Sequence, residues 1–120
     1  MRKLAPIAAA LSALTLAGGA AAKDTSVSVT TAPGAHAGAA STVTIHVAVH
    51  GKPYARAGWR PTLYLVRRGA FVPVATYRGV AAGPGTFRVR VVFPQPGAWR
   101  YVVPDPVMGD WTFVAPRVSA

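Results

Sequence analysis

The sequence predicts an all-β fold, an immunoglobulin-like β-sandwich of about seven antiparallel strands. Several short segments alternate apolar and polar residues with a period of two, which is typical of strands that bury one face. Turn residues separate these segments roughly every 8–12 positions, and the chain of 120 residues contains 11 prolines and 12 glycines. No helical periodicity follows residue 22. We therefore expect one β domain after a short N-terminal segment.

Residues 1–22 have the pattern of a secretory signal peptide. A short positive region precedes the apolar stretch 4–16, and three small residues follow at 20–22. The small residues predict cleavage directly before Lys23. An uncleaved membrane anchor is the alternative, because about 20 apolar residues suffice to span a bilayer. We expect an exported protein, periplasmic or extracellular, in which residues 23–120 form the single domain and no transmembrane segment remains after cleavage.

Seven segments of the domain carry the strand pattern. The clearest is 41–50, in which residues such as Val43 and Ile45 alternate with polar residues and β-branched side chains dominate. Segment 70–77 contains Pro73, which cannot donate a ladder hydrogen bond, so we expect this strand at a sheet edge or bulged. The glycine-rich segment between the fourth and fifth predicted strands is expected to be a loop. The predicted strands are 23–31, 41–50, 62–66, 70–77, 87–93, 99–103 and 111–114.

Residues 85–103 organise the predicted fold. In the strand 87–93 the apolar residues alternate with Arg88 and Arg90, so both arginines are expected on the solvent face. The Pro-Gln-Pro-Gly segment at 94–97 predicts a turn, and we expect the strands on either side of it to pair as an antiparallel hairpin. The aromatic residues with inward parity, expected in the core, are Phe87, Phe93, Trp99, Tyr101, Trp111 and Phe113.

The charge of the chain favours anionic partners. Lysine and arginine total 13 against three aspartates and no glutamate, for a formal net charge of +10, and removing the two basic residues of the signal segment leaves +8. Lipid headgroups, acidic cell-wall polymers and acidic proteins suit such a surface. Sequence-specific nucleic-acid binding is not expected, because no recognition-helix pattern exists and the longest basic run is Arg67-Arg68. The outward Arg88 and Arg90, with or without Arg100, form either a basic stripe or a solvated face.

One loop combines aromatic and basic residues in a way that is typical of recognition surfaces. Tyr54 and Trp59 lie beside Arg56 and Arg60 in the segment YARAGWRP, and loops at the ends of sandwiches commonly carry binding residues. The alternative is that Trp59 begins the third strand and packs inward. The candidate partner-binding residues are Tyr54, Arg56, Trp59, Arg60, Arg88 and Arg90.

No residue pattern indicates catalysis. The chain lacks cysteine and glutamate, its three aspartates lie in predicted turns or near a terminus, and no serine occupies a G-x-S-x-G elbow. The absence of cysteine also means that no disulfide crosslinks the fold. We predict a protein that is not an enzyme and that needs no cofactor.

Metal binding is an alternative that rests on three histidines. His46 and His50 lie four residues apart on one predicted strand, which separates their Cα atoms by about 13–14 Å, so the two cannot chelate one ion alone. Zinc sites use three or four clustered protein ligands, and no such spacing occurs here. Solvent-facing strand histidines are favoured over metal ligands. The candidate ligands under the alternative, with copper as the cofactor, are His36, His46, His50 and Met108.

Four short motifs lie at the corners of the predicted sandwich, and Tyr101 follows the last of them: Gly51-Lys52-Pro53, Gly85-Thr86-Phe87, Phe93-Pro94 and Pro96-Gly97-Ala98-Trp99. In this arrangement the chain resembles bacterial exported immunoglobulin-like domains, in particular the YtkA-like and CopC-like groups. The resemblance implies an exported accessory domain, and in CopC-like proteins copper is bound through a histidine near the mature N-terminus. The predicted mature start, Lys23-Asp24-Thr25, departs from that pattern because it has no histidine.

The sequence therefore predicts a secreted or periplasmic, non-catalytic immunoglobulin-like binding or accessory module with a basic surface. Its expected partner is an anionic surface or another envelope protein. The alternative function is that of a periplasmic copper-handling protein of the CopC/YtkA-like type.

Overall fold

The structure is a computed structural model that describes residues 24–107 and 109–120. The predicted signal peptide and the candidate ligand Met108 lie outside the described residues. Within them the chain contains strands and no helix, which confirms the all-β class. The strands are β1 (Thr25–Thr31), β2 (Ala40–Val49), β3 (Lys52–Pro53), β4 (Thr62–Arg67), β5 (Ala75–Arg78), β6 (Val80–Gly83), β7 (Thr86–Val92), β8 (Trp99–Pro104) and β9 (Asp110–Val114).

The strands form two antiparallel sheets that pack face to face in a β-sandwich-like arrangement. The first sheet has the order β1-β2-β7-β6, with β3 pairing to the end of β2, and the second has the order β5-β4-β8-β9. Buried side chains from both sheets form one hydrophobic cluster, whose members lie between Val27 and Val118. The described residues therefore hold a continuous core between the two layers.

The period-two pattern correctly predicts which side chains face the core. In β2, Val43 and Ile45 are fully buried while His46 is exposed, as alternation across a pleat requires. In β7 the same rule exposes the arginines. All six aromatic residues with inward parity contact the core: four are buried (Phe87, Phe93, Trp99, Tyr101), and two are half-buried at its margin (Trp111, Phe113).

The predicted hairpin at residues 85–103 is wrong. β7 pairs with β2 and β6 in the first sheet, whereas β8 pairs with β4 and β9 in the second. The turn at 94–97 therefore carries the chain from one sheet to the other. The physical reason is that β7 and β8 each have one fully apolar face, and each face must be buried against another sheet. In separate sheets these faces meet, and the Phe93 ring lies 6.1 Å from that of Trp99 and 6.3 Å from that of Tyr101.

Two other elements differ from the expectation. The predicted strand 70–77 begins only at Ala75, after Pro73, and as β5 it does lie at a sheet edge. The segment between the predicted strands 70–77 and 87–93, which was expected to be a loop, contains β6. All four residues of β6 are exposed and so show no alternation. β3 is likewise exposed.

Gly79 allows the chain to change sheets between β5 and β6. Its N–H donates to the Pro61 carbonyl at 2.8 Å. A Cβ at this position would lie 2.9 Å from Pro61 Cγ and 3.0 Å from Phe87 Cβ. The close approach therefore requires glycine at this crossing.

Tyr101 links the two sheets through its hydroxyl. The group hydrogen-bonds to Thr31 Oγ1 at 2.8 Å, joining β8 of the second sheet to β1 of the first. Burial raises the pKa of Tyr101 to about 12, and the hydrogen bond to Thr31 opposes that rise. The phenol is therefore neutral over the physiological pH range.

The raised pKa of Tyr101 predicts a loss of stability at alkaline pH. The pKa of Tyr101 is higher in the folded protein than its ordinary value of 10.0, so the neutral phenol stabilises the fold below about pH 10. That contribution is lost as the pH rises to about 12, the pKa in the folded protein. We expect this loss to be about 2–3 kcal/mol of unfolding free energy. Denaturant unfolding across this range should show that Tyr101→Phe lacks the decrease, whereas Tyr64→Phe, at an outward position of β4, retains it. Equal decreases in Tyr101→Phe and the unsubstituted chain would contradict a buried neutral phenol.

Candidate functional site

The loop between β3 and β4 carries the aromatic pair that the sequence singled out. The Tyr54 N–H donates to the Val47 carbonyl at 2.9 Å, which ties the loop to the end of β2. The ring centroids of Tyr54 and Trp59 are 5.0 Å apart in an edge-to-face contact. Trp59 in turn lies edge-to-face on Phe87 of the core, at 5.5 Å. Both loop aromatics are half-buried and pack on the hydrophobic cluster.

An open groove of about 390 Å³ lies between this loop and the β6–β7 turn. Gly85 of that turn has φ 65°, and a Cβ there would lie 2.6 Å from the Val47 carbonyl oxygen. Glycine thus lets the turn approach β2 closely enough to form one wall of the groove. The lining residues are Tyr54, Ala55, Arg56, Ala57, Gly58, Trp59, Arg60, Ala81, Gly83, Gly85 and Phe87.

The groove brings together four of the six candidate partner-binding residues. Arg56 and Arg60 are exposed at its rim, while Tyr54 and Trp59 form its aromatic part. Trp59 precedes β4 rather than beginning it, but its contact with Phe87 agrees with the alternative that its ring packs inward. The arrangement offers apolar stacking surface next to positive charge.

Arg88 and Arg90 lie elsewhere, on the outer face of the first sheet. They are exposed, and their neighbours across the β2–β7 ladder are Thr44 and Thr42. Arg100 does not extend this stripe, because it belongs to the second sheet, where its Nη2 donates to the Ala70 carbonyl at 2.6 Å. The candidate residues therefore form two separate basic surfaces.

Two of the three aspartates have local partners near the turns. Asp105 accepts hydrogen bonds from the Val107 N–H and from Trp111 Nε1, both at 2.8 Å, so it caps the turn between β8 and β9. Asp24 pairs with His50 at 3.4 Å, and both groups are largely exposed. No arginine or lysine of residues 24–107 and 109–120 pairs with a carboxylate. The positive charge is consequently left open to solvent.

The three histidines lie apart from one another. His36 Nδ1 contacts Ser119 Oγ at 2.8 Å beside the C-terminal segment, and His46 Nδ1 contacts Thr86 Oγ1 at 3.2 Å on the outer face of the first sheet. His50 directly follows β2 and lies beside Asp24. Among the residues that the structure describes, no three histidine or aspartate side chains surround a common point.

One exposed feature was not recognised in the sequence. The loop 68–74 carries Phe71 and Val72, whose side chains are 92% and 76% exposed. The apolar run at 70–75 predicted a strand interrupted by Pro73, although Gly69 and Pro73 on either side of the pair were signals for a loop.

Comparison with protein-family models, with curated proteins and with solved structures yields no match for this chain. Within the described part of the chain, no helix is long and apolar enough to cross a membrane.

The groove residues should separate into structural and exposed groups. We expect Trp59→Ala to lower the free energy of unfolding by about 1–3 kcal/mol, because it removes a half-buried ring from Phe87 and Tyr54. The exposed Arg56→Gln should change it by no more than about 0.5 kcal/mol. Denaturant unfolding of the two variants measures both effects. Unchanged stability in Trp59→Ala would show that the ring does not support the core.

Proposed function

We propose that this chain is an exported, non-catalytic binding or accessory module of the bacterial envelope. Its fold is an immunoglobulin-like sandwich, and its basic surface holds it to an anionic partner. The partner is an extended anionic surface or an acidic envelope protein rather than a small molecule.

The strand order supports the immunoglobulin-like assignment. In such domains the first, second, fifth and fourth strands form one sheet, while the third, sixth and seventh form the other. When β3 and β5 are set aside as additional strands, the order β1-β2-β7-β6 is that of the first, second, fifth and fourth strands. The order β4-β8-β9 is then that of the third, sixth and seventh, with β5 as an added edge strand next to β4. The two-residue β3 is an addition to this pattern.

The observation that carries the proposal is the open positive charge. Every described lysine and arginine except the half-buried Arg100 is exposed, and Asp24 and Asp105 bind local groups instead of these side chains. Such a field attracts anionic partners from solution. The exposed basic residues are Lys52, Arg56, Arg60, Arg67, Arg68, Arg78, Arg88, Arg90 and Arg117.

The distribution of this charge favours a large partner. Arginines lie on the outer face of the first sheet, around the groove and at the opposite end of the sandwich. A small anion would need several donors converging on one place, whereas an extended surface is attracted by charges that are spread out. The groove is open and presents its arginines at the rim, which suits a macromolecular surface better than an enclosed ligand.

A salt series with matched variants tests the electrostatic proposal. We expect the chain from Lys23 onward to bind immobilised dextran sulfate, with affinity that decreases as the salt concentration rises. The double variant Arg88→Gln and Arg90→Gln should bind about thirtyfold more weakly, because each of the two positive charges near an anionic surface contributes about 1 kcal/mol. Thr42→Gln with Thr44→Gln, on the same face but neutral, should bind like the unsubstituted chain. Binding that ignores salt would contradict the proposal.

A copper titration separates the proposal from the alternative of a copper-handling protein of the CopC/YtkA-like type. We expect affinity for Cu(II) and Cu(I) no tighter than micromolar under competition by a chelator, and no change in His36→Ala or His46→Ala. Tighter binding that either substitution abolishes would favour the copper function.

A further inference from the structure

We propose that the loop 68–74 docks the protein on an anionic lipid bilayer, with Phe71 and Val72 inserted at the boundary between headgroups and acyl chains. The inference rests on the proposed function and names the bilayer as its anionic partner. We refer to Phe71 and Val72 as the apolar tip.

The exposure of the apolar tip is the first observation. Phe71 is 92% exposed and Val72 is 76% exposed, and Val74 on the β5 side of the loop is 52% exposed. Isolated apolar residues are ordinary on a protein surface, but consecutive large ones on a protruding loop suit a site that is covered when the protein works.

The loop is fixed to the sandwich rather than frayed from it. The Ala70 N–H donates to the Arg67 carbonyl at 2.9 Å, and the Val74 N–H donates to the Leu65 carbonyl at 2.9 Å. The guanidinium of Arg100 donates to the Ala70 carbonyl at 2.6 Å, while its Nε is buried without a hydrogen-bond partner. A partly buried cation thus holds the base of the loop and directs the apolar tip outward.

Positive charge surrounds the base of the apolar tip. Arg67 and Arg68 precede it and are exposed. Arg67 is positioned by a 2.6 Å hydrogen bond to Gln95 and by the Trp99 ring, whose centroid is 5.4 Å from the guanidinium carbon. Arg117 lies at the same end, because the adjacent Val118 pairs with Gly97 in the turn between the sheets.

The aspartates lie at the other end of the sandwich. Asp24 precedes β1, whose first residue pairs with the last residue of β2, and that end of β2 is distant from the turn at 94–97. Asp105 and Asp110 flank the β8–β9 turn, beyond the end of β8 that is farthest from Arg67. The end that carries the apolar tip therefore combines arginines and exposed apolar side chains with none of the three aspartates.

This order of groups matches the profile of an anionic membrane. A protein that enters a bilayer meets the headgroup phosphates first and the hydrocarbon next. Here the arginines lie behind the apolar tip, so they stay with the phosphates while the tip reaches the hydrocarbon. A protein partner would need a pocket shaped for two protruding side chains, whereas a bilayer accepts a convex apolar tip directly. The bilayer is therefore the occupant that the shape and the charge favour together.

Vesicle cosedimentation of the chain from Lys23 onward tests the inference, since the core cluster of the described residues, from Val27 to Val118, lies in that part. We expect binding to phosphatidylcholine vesicles that contain phosphatidylglycerol, and little binding to phosphatidylcholine alone. Phe71→Ser with Val72→Ser should weaken binding about thirtyfold, because two apolar side chains no longer leave water. Val107→Ser, which changes a 60% exposed valine at the opposite end, should bind like the unsubstituted chain. Thermal unfolding should show that the double variant is folded.

The outcomes separate this inference from the proposed function. Salt-sensitive vesicle binding that the double Ser variant retains would overturn docking by the loop and leave the electrostatic module intact. Binding to dextran sulfate without binding to the vesicles would overturn the membrane as partner. Binding to neither would overturn both proposals. Lipid-free capture of a protein partner that is lost in the double variant, without vesicle binding, would assign the loop to a protein interface instead.

Discussion

The contact of Phe93 with Trp99 and Tyr101 across the two sheets is the interaction on which the rest of the structure depends. Phe93 is fully buried, and the turn that follows it moves the chain into the second sheet. Because the chain has no cysteine, apolar packing and the hydrogen bond between Tyr101 and Thr31 hold the layers together. The sheet change also determines which loops share an end of the sandwich: the turn at 94–97 lies beside the apolar tip.

The sequence was sufficient for the local properties of the strands. Alternation correctly placed Phe87 inside and Arg88 outside, since the direction of a side chain depends only on its own strand. Strand partners were not predictable in the same way, because a hairpin and a crossing between sheets share one alternation pattern. β6 was missed since all of its residues are exposed. Residues 70–74 belong to a predicted strand because a short apolar run is typical of buried strands, whereas the fold leaves Phe71 and Val72 exposed.

The candidate site was predicted only in part, because the sequence shows neighbouring residues but not those that the fold brings together. Tyr54 and Trp59 are close in sequence to Arg56 and Arg60, so this loop could be recognised from neighbouring residues, but the groove could not. Its other wall comes from Gly85 and β6, which only the tertiary structure brings near. The two proposals assign different roles to the opposite ends of the sandwich. If the apolar tip faces a membrane, the groove faces away from the lipid and is accessible to a protein of the envelope.

Hydrogen exchange with and without phosphatidylglycerol-containing vesicles tests this two-ended account most directly. The account predicts slower amide exchange in residues 68–72 on the vesicles, and unchanged exchange in residues 55–60 of the groove loop. Slower exchange confined to residues 55–60 would reverse the orientation and contradict the account.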